Sequence, residues 1–263
     1  TGGEPLLRSN LEALVAKLSR LDSIDTMDMT TNGWFLKQKA GLLKESGLRG
    51  VTVSLHSLRR ERFSKLSGVD ALPKVLEGID EAIRVGLDPV KVNSVAIRGY
   101  NEDEIVDLVD YAHSRGLSIR FIEFMPLDGL GIWTPDAIIS GKEIVSMLEG
   151  KYNLSSMGRA AGKTASLWSF GDGPGRLGLI TPMSEPFCDD CDRLRLTSDG
   201  KILSCLFDTE YYDLKPLLRG KGTEAELAQF MTEVVKKKPE GVGHMPWIKE
   251  GWAKPRNMNA IGG

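Results

Sequence analysis

The 263-residue chain lacks several features that would place it in a broad functional class. Its three cysteines all lie between residues 188 and 205, so it has no dispersed disulfide framework of the kind that small secreted domains carry. No apolar run is long enough to span a membrane, and no signal peptide is visible. The formal net charge of −2 argues against a broad nucleic-acid-binding surface. We therefore predict a protein without membrane or nucleic-acid partners, located in the cytoplasm, or in the mitochondrial matrix if it is eukaryotic.

Several catalytic fingerprints are also missing. His56, His113 and His244 show no paired metal-ligand spacing. The chain contains no Gly-x-Ser-x-Gly elbow, no Walker A loop and no Rossmann fingerprint. His113 falls in a predicted helix and is interpreted as structural, whereas His56 lies at a strand end, within reach of a cavity. These absences leave the cysteines as the strongest chemical signal in the chain.

The cysteines follow the spacing Cys188-x2-Cys191-x13-Cys205. Ser198-Asp199-Gly200 lies between two short apolar-containing runs and predicts a β-hairpin turn that returns Cys205 beside the other two cysteines. Three soft thiolates at one point indicate a metal site. We favour an iron–sulfur cluster over zinc, because a structural zinc would need His or Asp as its fourth ligand. The alternative is a set of inert thiols, or a disulfide with one spare thiol.

Strands alternate with amphipathic helices through the first half of the chain, which indicates βαβ units and a parallel sheet. Residues 155–178 have little periodicity and predict a linker or surface hairpin that leads into a second unit. Residues 177–181 predict a strand that feeds the cysteine segment. The strands predicted in the first half are Ile24–Met29, Val51–Leu55, Val90–Ile97 and Ile119–Phe124.

Polar residues interrupt or follow these apolar strands. A buried charge in a helix-covered parallel sheet is costly unless it is paired or binds something. Because ligands bind at the carboxyl ends of parallel strands, these residues predict one cavity with cations for a charged ligand. The alternatives are ordinary core hydrogen bonds for Ser54 and Asn93, and ion pairs with Glu123 for the two cations. The residues in question are Thr30, Ser54, Lys91, Asn93, Arg120 and Met125.

Three further stretches have both a functional and an ordinary interpretation. The loop Thr1–Pro5 contains two glycines that allow a ligand to approach the backbone, although an ordinary turn would look the same. Gly262 and Gly263 end the chain and either enter a cavity or form a flexible terminus. We interpret the run 236–238, three lysines, as a solvated helix end that is favourable against the helix macrodipole.

Taken together, these motifs resemble the GTP 3′,8-cyclase family, radical S-adenosylmethionine enzymes of molybdenum-cofactor biosynthesis. The resemblance runs from the first residue to the last. Gly-Gly-Glu-Pro alone would indicate only the radical superfamily, whereas the cysteine spacing with Arg-x-Arg inside it and the Gly-Gly end are more specific. The matching stretches are 1–5, 30–33, 51–55, 90–93, 120–126, 187–205 and 256–263.

The resemblance implies a fold and a reaction. The fold is α/β, a partial (βα) TIM-like barrel open at one side over residues 1–135. A C-terminal α+β unit over residues 136–263 follows and carries the three-cysteine cluster site. The reaction is the radical cyclisation of GTP to (8S)-3′,8-cyclo-7,8-dihydroguanosine 5′-triphosphate, the first step of molybdenum-cofactor biosynthesis. Reductive cleavage of S-adenosylmethionine starts this chemistry in the family.

The resemblance also implies roles for individual residues. Those that would contact S-adenosylmethionine are Gly2, Gly3, Glu4, Ser54 and Met125. Those that would bind GTP are Thr30, Lys91, Asn93, Arg120, Arg193 and Arg195. The ligands of a [4Fe–4S] cluster, whose open iron would bind guanine, would be Cys188, Cys191 and Cys205. The residues needed for catalysis would be Arg193, Arg195, Gly262 and Gly263.

The sequence departs from the family pattern in one major respect. The Cys-x3-Cys-x2-Cys motif that holds the family's first cluster is absent. We therefore expect that an N-terminal portion is missing, that the second [4Fe–4S] cluster occurs only in a complete chain, and that this chain alone is inactive. Two smaller departures are His56, where the family usually has Asp, and Asp192, where Asn is usual.

Two partners and three rival functions complete the prediction. The candidate partners besides GTP are a second copy of the chain and cyclic pyranopterin monophosphate synthase, which would act downstream. The rival functions are a catalytically dead GTP-binding homologue or fragment, a zinc-stabilised structural α/β module, and another radical enzyme with a peptide substrate.

Overall fold

The chain is built around one seven-stranded sheet. The computed structural model describes residues 1–127, 131–171, 173–208, 210–220 and 222–241, and within these ranges every helix is too short or too polar to cross a membrane. The spatial order of the strands is β1-β2-β3-β4-β7-β6-β5. The strands are β1 (Asp28–Thr31), β2 (Gly50–Ser54), β3 (Val90–Ala96), β4 (Ser118–Glu123), β5 (Leu154–Gly158), β6 (Ser166–Phe170) and β7 (Arg176–Ile180).

Helices connect the parallel strands, as expected for βαβ units. β1 to β4 and β7 form the parallel part, and β6 and β5 extend it with antiparallel pairing. Short 3₁₀ helices lie at Pro5–Leu7, Glu102–Glu104 and Pro135–Ala137. The α-helices of this part are α1 (Leu11–Leu18), α2 (Leu36–Glu45), α3 (Arg60–Ser67), α4 (Leu72–Arg84), α5 (Ile105–His113) and α6 (Gly141–Glu149).

The two faces of the sheet have different surroundings. In β3, Val92 and Ser94 are buried, whereas Lys91 and Asn93 on the alternate face are only half-buried. The buried face packs against the helices and forms the main apolar cluster, in which Phe121 is 1% exposed. Truncating that ring to Ala would cost about 3–5 kcal/mol. The other side of the parallel strands, which carries Lys91 and Asn93, is called the polar face below.

The first strand begins four residues later than predicted. The sequence predicts a strand at Ile24–Met29, but β1 spans Asp28–Thr31. Ile24 is exposed and lies among exposed turn residues, whereas Met29 and Thr31 are the side chains that point into the core. Thr30 therefore lies inside a strand and not in the loop after it.

Helix α3 was not predicted, because it has almost no apolar stripe. Phe63 is its only buried residue. Ion pairs hold its polar start, since Arg60 binds Asp70 at 2.8 Å and Arg62 binds Glu104 at 2.6 Å. Tertiary contacts of this kind are invisible to a search for hydrophobic periodicity.

The segment predicted as a linker or hairpin is a hairpin that continues the sheet. β5 and β6 pair with each other, and β6 pairs with β7, which runs parallel to β4. The strand predicted at residues 177–181 is thus real, but it belongs to the large sheet. The division expected after residue 135 does not coincide with an edge of that sheet.

A second, smaller layer carries the cysteines. Its three-stranded antiparallel sheet has the order β10-β9-β8. Ile202, Leu214 and Val234 form its apolar cluster. The elements are β8 (Arg195–Leu196), β9 (Lys201–Leu203), β10 (Tyr212–Asp213), α7 (Lys215–Arg219) and α8 (Glu224–Lys236).

Candidate functional site

The predicted ligand residues of the sheet lie on the polar face, in two neighbouring rows set by strand register. Thr30 pairs with Thr52, which pairs with Lys91. Ser54 pairs with Asn93, which pairs with Arg120. The prediction that they share one region is supported by this register. Lys91 and Arg120, however, lie inside their strands and not at the carboxyl ends.

Two neighbouring side chains on the polar face hold buried polar atoms that find no hydrogen-bond partner among the described residues. These atoms are Oδ1 of Asn93 and Nε of Arg120. Burial lowers the pKa of Arg120 from its ordinary value, while the negative charge of Asp28 acts in the opposite direction. Unpaired buried polar atoms are costly, so an acceptor and a donor side by side indicate a place for a polar ligand.

The room for the Arg120 side chain comes from a glycine on the next strand. Gly178 pairs with Arg120, and a Cβ added at Gly178 would stand 2.9 Å from Cγ of Arg120. The side chain of Arg120 therefore lies across the glycine backbone. No sequence pattern singles out this glycine, because strand pairing decides which residue it faces.

Lys91 is not a free cation in this structure. Its Nζ binds Oδ2 of Asp28 at 2.8 Å, and the lysine side chain is 16% exposed. The predicted alternative was an ion pair of Glu123 with Lys91 or Arg120. It is wrong for Lys91, because the partner of Lys91 is Asp28. Asp28 lies at the start of β1 and was missed, because the predicted strand ended at Met29 and gave this acid no particular place.

Glu123 instead connects the end of β4 to the segment that leads to the cysteines. Its buried carboxylate accepts hydrogen bonds from the backbone N–H groups of Met183 and Ser184, both at 2.9 Å, and from the Ser184 hydroxyl. A longer bond of 3.4 Å comes from the N–H of Gly141, at the start of α6. One side chain thus fixes the entry to the cysteine segment.

The Gly-Gly-Glu-Pro loop is anchored beside the end of β1. Glu4 accepts hydrogen bonds from the Thr31 hydroxyl at 2.5 Å and from the N–H of Asn32 at 2.7 Å. Its carboxylate is thereby engaged in holding the loop. Gly2 and Gly3 have φ values of 94° and 73°, a left-handed conformation that favours glycine. Their backbone is thus held at the carboxyl end of the first parallel strand, where such sheets bind ligands.

The hairpin turn predicted at Ser198-Asp199-Gly200 is present. β8 and β9 pair antiparallel, and the Thr197 hydroxyl donates to Asp199 at 2.5 Å. The ion pair to Lys201, together with that hydrogen bond, lowers the pKa of Asp199 to about 2. We call residues 187–205 the cysteine hairpin.

The arginines of the cysteine hairpin face inward, and the leucines face outward. Arg193 and Arg195 are half-buried, whereas Leu194 and Leu196 are 38% and 51% exposed. The prediction that the two arginines share one face is supported by this alternation. Burial lowers the pKa of Arg195 from its ordinary value, opposed by the negative charge of Cys205. Leucine side chains are normally buried in preference to arginine side chains. The reverse order in this strand indicates that the inner side of the hairpin is suited to an anionic group.

The three cysteines are free thiols and half-buried. Cys188 and Cys205 pack, together with Met125, against a small apolar cluster of Leu127, Leu203 and Phe207. Burial raises the pKa of Cys205, against the hydrogen bond from the backbone of Phe207. Within the described ranges, no three His, Cys, Asp or Glu side chains are arranged to hold a metal ion.

A cleft of about 470 Å³ opens beside the first two cysteines. Its lining residues are Cys188, Asp189, Cys191, Lys238, Pro239 and Glu240. Lys238 was predicted to be a solvated helix end, and this is wrong. Its Nζ donates to the carbonyl oxygens of Arg193 at 2.6 Å and Ser204 at 2.9 Å, because the chain turns back onto the hairpin after α8.

The turn between β5 and β6 holds the cysteine hairpin in place. Nη1 of Arg159 binds both carboxylate oxygens of Asp190, at 2.8 and 2.9 Å. Nη1 of Arg193 donates to the carbonyl oxygen of Gly162 at 2.9 Å. Arg159 and Arg193 both lie over the ring of Phe187, at 5.7 and 5.6 Å from its centre. These contacts join residues about 30 positions apart, so no local sequence pattern predicts them.

Two histidines make structural contacts, and three other residues that the sequence singles out lie outside the described ranges. His56 is half-buried, and its Nδ1 accepts a hydrogen bond from the N–H of Val95 at 3.1 Å. Burial lowers its pKa to about 4, so the imidazole is neutral and structural. His113 packs against the ring of Phe170. Gly262, Gly263 and His244 lie outside the described residues.

A larger cleft, of about 570 Å³, lies at the amino ends of the parallel strands, away from their carboxyl ends. It is lined by residues such as Pro89, Leu117 and Arg176 at the amino ends of β3, β4 and β7. None of the predicted ligand residues lines it. The volume of a cleft therefore does not identify the site. The predicted ligand residues lie instead on the polar face and on the cysteine hairpin.

Two family models match consecutive parts of the chain. The Radical SAM superfamily model matches residues 1–112, and the Molybdenum Cofactor Synthesis C model matches residues 117–244. The crystal structure of Streptococcus suis SuiB bound to S-adenosylmethionine superposes with a TM-score of 0.62 over 98% of this chain and 64% of that one. At 16% identity this likeness speaks for the fold alone. The chain thus has the fold and the family signature of a radical S-adenosylmethionine enzyme.

Curated relatives narrow the assignment. A GTP 3′,8-cyclase of Pelotomaculum thermopropionicum is 41% identical over the whole chain, which covers 80% of that relative. The GTP 3′,8-cyclases of Alkaliphilus oremlandii and Corynebacterium glutamicum are 38% and 40% identical, with 80% and 72% of the relatives covered. The chain belongs to the GTP 3′,8-cyclase family, and the resemblance inferred from its motifs is confirmed.

Proposed function

We propose that this chain forms the GTP-binding and cluster-binding parts of an enzyme that cyclises GTP to (8S)-3′,8-cyclo-7,8-dihydroguanosine 5′-triphosphate. The observation that carries the proposal is the neighbouring pair of buried polar atoms on Asn93 and Arg120 that find no hydrogen-bond partner among the described residues. A nucleotide offers acceptors for the guanidinium and hydroxyl donors for the amide oxygen. The family assignment supplies the identity of the nucleotide.

The cations of the two layers have complementary roles in this proposal. Arg120 and Lys91 on the polar face, and Arg193 and Arg195 on the cysteine hairpin, would neutralise the triphosphate. Lys91 would exchange its bond to Asp28 for one to phosphate. Gly2 and Gly3, with Ser54 and Met125, would hold S-adenosylmethionine. That cofactor, when bound and reduced, supplies the radical that starts the reaction.

The cysteine hairpin fits an iron–sulfur cluster better than a zinc ion. Its donor set is three thiols and no histidine, in an apolar setting with a backbone N–H directed at Cys205. A structural zinc requires four ligands around one centre, whereas a cluster spreads its ligands over several irons. Cys188, Cys191 and Cys205 would therefore hold the [4Fe–4S] cluster.

The sequence contains three cysteines, and this proposal assigns all of them to one cluster. The second cluster, which generates the radical, needs thiolates of its own. We therefore expect the 263 residues by themselves to bind GTP without cyclising it. Gly262 and Gly263 as catalytic residues, a homodimer, and cyclic pyranopterin monophosphate synthase as downstream partner belong to the same proposal.

GTP binding tests the polar face. We expect isothermal titration of the chain with GTP to give a defined dissociation constant that Arg120→Met weakens by about 10- to 100-fold, the usual range for a charge-assisted bond. Arg84→Met is the matched control, because Arg84 lies on α4 and its ion-pair partner among the described residues is Glu81. Equal losses in both variants, or no GTP binding at all, would contradict the proposal.

Iron and sulfide content tests the cysteine hairpin. After anaerobic reconstitution, we expect about four irons and four acid-labile sulfides per chain, and their loss in Cys205→Ala. Ser46→Ala, a polar change on the far end of α2, should keep both. Stoichiometric zinc without sulfide would overturn the cluster assignment and leave a structural site.

A further inference from the structure

Three consecutive lysines follow one another at the end of α8, but only one of them contacts the cysteine hairpin. Lys236 and Lys237 are exposed, and Lys237 lies over the ring of Tyr212 at 5.2 Å. Lys238 is half-buried, and its Nζ is bound to two backbone carbonyl oxygens. The run therefore contains a contact residue and two neighbours of the same charge that serve as controls.

The two carbonyl groups lie on opposite arms of the cysteine hairpin. Arg193 follows Cys191 by two positions, and Ser204 directly precedes Cys205. The bonds from Nζ of Lys238, at 2.6 and 2.9 Å, thus tie together the chain segments that carry the thiols. A lysine ammonium has three N–H donors, so one remains after these two bonds.

Lys238 also lies at the cleft beside the first two cysteines. Lys238 lines this cleft together with Cys188 and Cys191. Because its Nζ also binds the carbonyl oxygen of Ser204, which directly precedes Cys205, the positive charge lies near the third thiol as well. Within the described parts of the chain, Lys238 forms no ion pair with a carboxylate, although Asp189 and Glu240 line the same cleft. The ammonium charge is therefore available to the thiols.

We infer that Lys238 is a positioning and charge-balancing residue of the three-cysteine site. It fixes the separation of the two hairpin arms, and its charge favours the reduced form of the cluster. This inference rests on the proposed function, because it takes the bound group to be an iron–sulfur cluster. One-electron reduction by an external reductant adds one negative charge to the cluster and its three thiolates, and breaks no bond. A fixed positive charge nearby stabilises the more negative state.

The test compares variants of the reconstituted chain under anaerobic conditions. Two quantities are measured: the midpoint potential by reductive titration followed by electron paramagnetic resonance, and the rate of iron loss to a chelator. We expect Lys238→Met to shift the potential to more negative values and to release iron about 10- to 100-fold faster, the usual effect of losing a residue that supports metal ligands. Lys237→Met should match the parent chain in both measurements.

Two further variants separate charge from structure. Lys238→Arg keeps the charge, so its potential should stay near that of the parent even if iron loss is faster. Lys238→Gln keeps a hydrogen-bond donor without the charge, so it should shift the potential in the same direction as Lys238→Met. Circular dichroism verifies that each variant is folded, and Lys238→Gln replaces Lys238→Met if the latter is not.

The outcomes distinguish this inference from the proposed function. A cluster whose potential and iron retention are the same in parent, Lys238→Met and Lys238→Gln would overturn the inference and leave the proposed function intact. Faster iron loss with an unchanged potential would show that Lys238 acts only by holding the two hairpin arms together, and would overturn its charge role. A parent chain that takes up zinc and no sulfide would overturn both.

Discussion

The polar face and the cysteine hairpin are held in place in different ways. On the polar face, strand register alone makes neighbours of Ser54, Asn93 and Arg120. The cysteine hairpin has strands of only two and three residues, and side chains from other elements hold it, namely Glu123, Arg159 and Lys238. Changes on the polar face should therefore alter binding within an intact fold, whereas changes to these side chains should loosen the hairpin itself.

The largest effect should come from Glu123→Gln. The change replaces one carboxylate oxygen by an NH₂ group, which cannot accept hydrogen bonds. In one orientation of the amide the N–H groups of Met183 and Ser184 lose their acceptor, and in the other orientation the Ser184 hydroxyl and the N–H of Gly141 lose theirs. Loss of two charge-assisted bonds in a buried site should lower the free energy of unfolding by about 4 kcal/mol. Urea denaturation measures this loss, and hydrogen exchange should show it first in residues 181–205.

Glu149→Gln provides the control for this change. Glu149 is exposed on α6, so its substitution should alter stability by less than about 0.5 kcal/mol. If Glu123→Gln lowered the protection against hydrogen exchange equally in the sheet and the hairpin, the hairpin would not be held in place independently of the sheet. The contrast between the two regions would then be wrong.

Acid should act outside the cysteine hairpin, through His56, which lies just after β2. Its pKa is lowered to about 4 in the folded chain, against 6.5 ordinarily, so the unfolded chain binds the proton first. Stability is therefore fully present above pH 6.5 and is lost as the pH falls towards 4. At about 1.4 kcal/mol per pH unit, the loss reaches about 3 kcal/mol. Asp199 in the hairpin turn, with a pKa of about 2, keeps its charge over this interval.

Denaturation curves at several pH values test this expectation. His56→Asn retains an acceptor for the N–H of Val95 but cannot be protonated, so most of the decline between pH 6.5 and 4 should disappear. His113→Asn should leave the decline in place. An unchanged decline in His56→Asn would mean that another group controls acid stability.

Much of the polar face could be predicted from the sequence, and much of the hairpin's attachment could not. The alternation of apolar and polar residues places Lys91 and Asn93 on one face of β3 in any parallel sheet. The turn at Ser198-Asp199-Gly200 is likewise a local property. The partner of a charged side chain is not local: Asp28 is 63 positions from Lys91, and Lys238 is 45 from Arg193.

A smaller effect, confined to binding, is expected for Gly178→Ala. The backbone there accepts any residue, but the new Cβ would stand 2.9 Å from Cγ of Arg120 and force that side chain to move. Loss of one well-placed cation should weaken GTP binding by about tenfold, with the cluster retained. Gly150→Ala meets no atom within 4 Å and is the matched control. Unchanged GTP affinity in Gly178→Ala would remove Arg120 from the binding site.

The smallest expected effect has the opposite sign. Asp28→Asn removes the partner of Lys91 on the polar face and frees that cation for phosphate. Since partly exposed ion pairs are weak, GTP binding should tighten by only about threefold. Glu77→Gln is the control, because it frees Lys37 from a comparable pair on the helical side, at 3.1 Å. Weaker binding in Asp28→Asn would mean that the carboxylate itself contacts the nucleotide, as a hydroxyl acceptor. The polar face would then recognise the ribose as well as the triphosphate, and Lys91 would serve to place Asp28.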